Sequence, residues 1–195
     1  MRYSHQMVIP SAVRSAVLQR LRLMKRVHRA VIMRASVIGQ RFEVSLLTAI
    51  CTCSVGEVRG ALEWACRFSL IVPEQPEGRC YAFRHALTRD IVYGELLAER
   101  VRPFHGRIVR ALERSVAADS VPLDALAYHS WASGETARAS YYNELAGDRA
   151  VAMHGDGDAR IFYSRAREAV PLDSPDCSRL CEKLRAIERR DGERR

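Results

Sequence analysis

Apolar residues recur at helical spacing along most of this chain, and one stretch, residues 70–84, breaks that period. Leu70–Val72 is a short extended run, Pro73–Gly78 is rich in turn residues, and Arg79–Arg84 alternates at period two. This pattern is typical of a β-hairpin, whereas the surrounding spacing of three and four residues is typical of amphipathic helices. The sequence therefore predicts a mainly α-helical fold with one small β-hairpin.

Three helical patterns come directly before the hairpin. They cover Val27–Ile38, Glu43–Cys51 and Val55–Ser69. Ser54 and Glu57 have the S-x-x-E spacing of a capping box, in which each side chain binds the other residue's free backbone amide. Three helices followed by a two-stranded hairpin is the order of a winged helix. We expect a winged-helix-like domain over residues 25–117, which includes two further helices after the hairpin.

The formal net charge of +8 comes from the N-terminal end of the chain. Residues 1–42 contain nine Lys or Arg, and the first acidic residue is Glu43; the remaining 153 residues carry 22 basic and 23 acidic side chains. We expect a basic linker helix over residues 1–24. Such a block suits a nucleic acid, an acidic partner or an anionic membrane surface. A solvated helix face is the simpler interpretation.

The C-terminal part of the chain is predicted to be helical again. Ala118–Pro122 has the small and proline-containing composition of a linker. In the helical patterns that follow, small residues and tyrosines recur: Ala139, Tyr142, Ala146, Ala159, Tyr163 and Ala166. Stacked helical hairpins need this combination, so residues 118–195 are predicted to form antiparallel helical hairpins of tetratricopeptide type. About two hairpins fit, fewer than a free-standing array usually needs.

Targeting and redox signals are weak in this sequence. No apolar run approaches the roughly 18 to 20 residues that span a bilayer, and residues 1–10 lack the apolar core of a secretory signal. We therefore expect a cytoplasmic protein without a membrane partner. The six cysteines are unevenly spaced along a chain that is too long to need disulfide staples, so reduced thiols are predicted.

Several sequence blocks together resemble one known arrangement. The blocks are S-A-V-R-S-A-V-L-Q-R-L and A-S-V-I-G-Q-R-F within Ile9–Phe42, Y-A-F-R-H-A-L-T-R-D-I-V-Y-G-E-L-L at Tyr81–Leu97, H-G-R-I-V-R-A-L-E at His105–Glu113, and Ala127–Ala150. They resemble the region after the ATPase core in bacterial STAND-class or AAA-type signalling ATPases. These include large LuxR-type (MalT-like) regulators and ATPase-containing adenylate cyclases. The resemblance implies a winged helix followed by tetratricopeptide repeats.

The same family binds ATP through a Walker A loop, G-x-x-x-x-G-K-[ST]. The chain has only two lysines, Lys25 and Lys183, and neither follows a glycine. We therefore expect the chain to hold no cofactor by itself, and ATP or ADP only if an ATPase domain is supplied in cis or in trans. The chain resembles a middle fragment, or a degenerate remnant, of a larger regulator.

Arg84 and His85 are the candidate nucleotide-sensing residues. They stand where the second hairpin strand is predicted to lead into a helix, and the free amides of a helix N-terminus favour a phosphate. In the STAND class a winged-helix histidine at a similar place is implicated in sensing bound ADP, and His85 matches that place. The alternative is a histidine that is simply packed or solvated at a helix start.

A DNA-binding function through Val55–Ser69 is disfavoured by charge. Within this helix Arg59 and Arg67 are balanced by Glu57 and Glu63, although phosphate contacts from Lys and Arg supply most of the affinity of such proteins. The basic N-terminal block still allows a nucleic acid as a partner, as a weaker alternative.

Metal and catalytic patterns are weak. Cys51 with Cys53 is a poor zinc half-site and Cys177 with Cys181 lacks a paired cluster. Asp156 and Asp158 lack the further ligands of a calcium loop, and no nucleophile or metalloprotease motif occurs. We therefore predict no metal and no catalytic residue.

The predicted function is a non-catalytic regulatory or interaction module in signal transduction or transcription regulation, with a protein partner on the repeats. The alternatives are a DNA-binding winged-helix transcription regulator and a part of an ATPase-containing adenylate or guanylate cyclase.

Overall fold

The computed structural model describes residues 10–75, 78–115 and 122–193. Within these ranges the chain forms ten α-helices and one three-stranded antiparallel sheet, which confirms the predicted mainly helical fold. The chain divides into two compact units, residues 1–101 and 102–195. None of the described helices is long and apolar enough to cross a membrane.

The first unit contains five helices and three strands, with a sixth helix beginning at its C-terminal end. The helices are α1 (Ser11–Arg22), α2 (Arg26–Ile38), α3 (Val44–Ile50), α4 (Val55–Arg67), α5 (Ala86–Gly94) and α6 (Ala98–Ser115). The strands are β1 (Arg41–Glu43), β2 (Ile71–Pro73) and β3 (Cys80–Phe83). The predicted capping box of α4 is confirmed: the Glu57 amide donates to Ser54 Oγ at 3.2 Å, and the Ser54 amide donates to Glu57 Oε2 at 2.8 Å.

The sheet has one strand more than the predicted hairpin. β3 lies in the centre, and both β1 and β2 pair with it in antiparallel orientation. Sequence periodicity missed β1 because three residues are too few to show an alternation. Phe42 explains why this segment joins the sheet: its ring is buried and lies 5.9 Å from the ring centre of Phe83.

The core of the first unit is built mainly by α2, α4, α5 and the inner face of the sheet. α2 packs on α4 and α5, and α1 packs on α5. The fully buried large side chains there are Ile32, Leu47, Ile50, Leu70, Ile71, Phe83 and Ile91. Burial of aliphatic side chains of this size contributes about 1.5–3 kcal/mol each, so this core fixes the positions of the sheet and of α5.

The second unit is entirely helical within its described residues. After the C-terminal part of α6 it contains α7 (Leu123–Ser133), α8 (Thr136–Ala152), α9 (Asp156–Glu168) and α10 (Pro175–Glu193). α7 packs on α8, α8 on α9, and α9 on α10. Most of the predicted linker Ala118–Pro122 lies outside the described residues, so the domain boundary at residue 118 stays a prediction.

Small residues allow these helices to approach closely. The alanines that the sequence singled out are buried: Ala139, Ala146, Ala159 and Ala166. At Gly147 a Cβ atom would lie 2.4 Å from Tyr163 Cε1, closer than any non-bonded carbon pair tolerates. Tyr163 therefore occupies the space that a side chain on α8 would need.

Candidate functional site

The junction between β3 and α5 carries the two predicted site residues, and backbone hydrogen bonds fix it from two sides. The Phe83 amide donates to the Gln40 carbonyl at 2.9 Å, and Gln40 Nε2 donates to the Phe83 carbonyl at 2.6 Å. The Arg84 amide donates to the Leu70 carbonyl at 3.0 Å. The backbone at the end of β3 is therefore tied to the residues just before β1 and just before β2.

His85 is the N-cap residue of α5. Its backbone is extended, and its carbonyl accepts a hydrogen bond from the Thr88 amide at 3.0 Å, but its side chain makes no capping hydrogen bond. The side chains of Arg84 and His85 are both exposed. Arg84 and His85 are thus consecutive exposed residues at the positive end of a helix. Such a donor set can bind an anion.

Cys66, near the end of α4, lies close enough to feel the charge of Arg84. Burial raises the pKa of the Cys66 thiol, and the guanidinium of Arg84 acts in the opposite direction. A cysteine with a raised pKa is a poor nucleophile at neutral pH. The position therefore offers anion-binding groups without an activated nucleophile.

Gln40 and Arg89 support this junction, and sequence reasoning missed both. Arg89 lies on α5, where its Nε donates to the Ser36 carbonyl of α2 at 2.8 Å and its guanidinium lies 4.7 Å from the centre of the Tyr93 ring. The two sequence blocks A-S-V-I-G-Q-R-F and Y-A-F-R-H-A-L-T-R-D-I-V-Y-G-E-L-L contain all these residues. The structure brings the two blocks together through the pairing of β1 with β3.

The second unit contains an open pocket of about 220 Å³. It is lined by Trp131, Gly134, Thr136, Ala139, Glu168 and Ala169. Trp131 remains 39% exposed, its indole Nε1 donates to Glu168 Oε2 at 3.2 Å, and the guanidinium of Arg165 lies 4.7 Å from its ring centre. An aromatic wall beside a carboxylate suits one side chain of a protein partner. No local sequence pattern indicates this pocket, because its residues come from α7, α8, α9 and the ends of these helices.

His105 of α6 and His129 of α7 come together in the second unit. The Nδ1 atoms of His105 and His129 lie 2.7 Å apart, and both side chains are buried. The Tyr128 ring stands edge-on to both imidazoles, at 5.6 and 5.1 Å between ring centres. These histidines are part of the core, whereas His154 is exposed.

Cys51 lies beside Cys53, and Cys177 lies beside Cys181. Burial, with the neighbouring Cys53, raises the pKa of Cys51 to about 12. Burial and a hydrogen bond with Cys181 raise the pKa of Cys177. Among the described residues, no set of three His, Cys, Asp or Glu side chains is arranged to hold a metal ion. Comparison with known proteins gives no match to this chain, whether to family models, to curated sequences or to solved structures.

Proposed function

We propose that this chain is a non-catalytic regulatory module that couples the nucleotide state of an ATPase domain to protein contacts. In this proposal the first unit acts as a winged helix and the second as tetratricopeptide-like hairpins. The order α2, β1, α3, α4, β2, β3, with β3 central in the sheet, supports the winged helix. The packing of each helix from α7 to α10 on the next supports the hairpins.

The observation that carries the proposal is the exposure of Arg84 and His85 at the start of α5. A nucleotide held by a docked ATPase domain would present its phosphates to a guanidinium, an imidazole and a helix N-terminus. All three can donate hydrogen bonds to phosphate oxygens. The backbone beneath them is fixed by hydrogen bonds from Gln40 and to Leu70, so the donors need little reorganisation on binding.

The mechanism is a two-state docking equilibrium. In the resting state the winged helix lies against the ATPase domain while ADP is bound, because Arg84 and His85 add contacts that exist only in that state. Exchange of ADP removes these contacts and releases the winged helix. The Trp131 pocket of the second unit then receives a side chain of the partner protein.

The experiment is a binding titration between the full chain and a purified STAND-class ATPase domain. We expect ADP to tighten the complex at least about tenfold, which is the range of ordinary coupling energies. R84Q/H85N should remove the effect of ADP. R59Q/R67Q, which neutralises two exposed arginines on α4, should retain it. Absence of binding, or equal loss in both variants, would contradict the proposal.

Binding of DNA through α4 is a second candidate, because the same order of elements occurs in DNA-binding winged helices. On α4, Arg59 and Arg67 are exposed. Trp64 and Phe68 are stacked with ring centres 3.9 Å apart, and Trp64 packs against the core. Loss of duplex binding in R59Q/R67Q, with R84Q/H85N unaffected, would favour this candidate.

A further inference from the structure

Four basic side chains crowd the turn that joins α1 to α2. Arg22 ends α1, Lys25 is the N-cap residue of α2, Arg26 is the first residue of α2, and Arg29 follows one turn later. Arg22, Lys25 and Arg26 are exposed and Arg29 is half-buried. We call these four residues the corner patch.

The corner patch lacks ion-pair partners in the part of the chain that the structure describes. Within the described ranges none of its four side chains has an ion pair, although other arginines of the same unit do, such as Arg14 with Glu95 at 3.0 Å. The first acidic residue of the whole sequence is Glu43. The positive charges of the patch are therefore available to an anionic partner.

The start of α2 also departs from the usual design of a helix N-terminus. Its first turn contains no acidic residue, and the side chain of Lys25 makes no capping hydrogen bond. The partial positive charge of the helix end adds to the cations, which is unfavourable. In the same unit α4 begins with a complete capping box, whereas α1, α3 and α5 lack a side-chain cap and an acidic first turn as α2 does. A bound anion would turn this local cost into a favourable interaction.

We infer that the corner patch binds the phosphodiester backbone of a nucleic acid without reading its bases. Three of its four residues are arginines, whose planar guanidinium matches phosphate geometry. A row of phosphates can neutralise several neighbouring cations at once. The corner patch contains neither Arg84 nor His85, so the inference goes beyond the proposed function.

Leu23 and Val27 help to distinguish the partner. Beside the patch these two aliphatic side chains are 66% and 40% exposed. A lipid surface or a protein partner would gain from burying them, whereas a phosphate backbone is held by charge. L23S/V27S is therefore expected to leave nucleic-acid binding within about twofold of the original chain.

The test uses the full chain and a labelled 20-base-pair duplex of mixed sequence, as DNA and as RNA, with anisotropy measured over a series of KCl concentrations. Four phosphate contacts predict a log–log salt slope of about −3 to −4 on DNA, with similar affinity for unrelated sequences. R22Q/K25Q/R26Q/R29Q should bind more than about tenfold more weakly, with a slope near zero.

The matched control removes the same charge from exposed arginines of the second unit, in R114Q/R167Q/R185Q/R189Q. This control should keep the slope of the original chain. If circular dichroism shows that the patch variant does not fold, the single variants R26Q and R29Q replace it. Each should bring the negative salt slope nearer to zero by about one. Equal loss in the patch and control variants would overturn the inference. Loss of binding in L23S/V27S, capture by anionic vesicles only, or no binding at low salt would also overturn it.

Discussion

The Nδ1 atoms of His105 and His129 face each other at 2.7 Å inside the second unit. A hydrogen bond at this distance needs one N–H and one lone pair. Only one of the two facing nitrogens therefore carries a hydrogen. This hydrogen bond connects α6, which carries His105, to α7, which carries His129.

Replacing either histidine should cost stability. His105→Leu or His129→Leu removes the partner that faces the remaining Nδ1 in a buried position, which is expected to cost about 1–3 kcal/mol. The double variant should cost clearly less than the sum of the two single changes, because it removes both polar groups together. Urea unfolding followed by circular dichroism measures this cycle. Additive losses would show that the two side chains are not coupled.

Gly147→Ala should destabilise the second unit. The added Cβ would lie 2.4 Å from the Tyr163 ring, and overpacking of this kind typically costs about 1–3 kcal/mol. Gly157→Ala is the control, because nothing lies within 4 Å of its Cβ position. Thermal melts of both variants should separate them, with the Gly157 variant within about 0.5 kcal/mol of the original chain. Similar melting of both variants would contradict the close packing of α8 on α9.

Acid should weaken the attachment of α10 to α8. Arg179, which donates at 2.7 and 3.0 Å, and Lys183 at 2.9 Å hold the pKa of the Glu144 carboxyl below its usual range. A lowered folded-state pKa stabilises the fold above the unfolded value of about 4.3, and this contribution is lost as the pH falls through the folded value.

Chemical denaturation between pH 3 and pH 7 measures this effect. Glu144→Gln should reduce the slope of stability against pH at the acid end, while Glu188→Gln, on an exposed residue of α10, should leave it unchanged. An unchanged slope in the Glu144 variant would show that these ion pairs do not form in solution.

Cys51 should react slowly with alkylating reagents. Its thiol is largely buried beside Cys53, and its pKa is raised to about 12. Relative to an ordinary cysteine near 8.5, this lowers the thiolate fraction at pH 8 by roughly a thousandfold. Iodoacetamide labelling followed by peptide mapping should show a protected Cys51 in the native chain and rapid labelling in urea. Fast native labelling would contradict its burial.

Local sequence signals predicted the long helices, but they missed the shortest strand and the contacts between residues far apart in the sequence. The start of α4 follows from Ser54, whose side chain accepts a hydrogen bond from the Glu57 amide three residues later. The strand β1 is too short to carry a period. The contact of Trp131 with Glu168 joins residues 37 positions apart, so no local pattern could reveal it. Arg84 and His85 were identified because they stand at a predicted change from strand to helix.

The corner patch extends from the last residue of α1 to the first turn of α2, and Gln40 lies just beyond the C-terminal end of α2. Thirteen residues at 1.5 Å each make it a rod about 20 Å long. Gln40 is hydrogen-bonded to Phe83 through both its backbone and its side chain, so α2 leads into a residue that is bound to the strand before His85. Helix α2 thus connects two positively charged positions of the first unit, the corner patch and the start of α5.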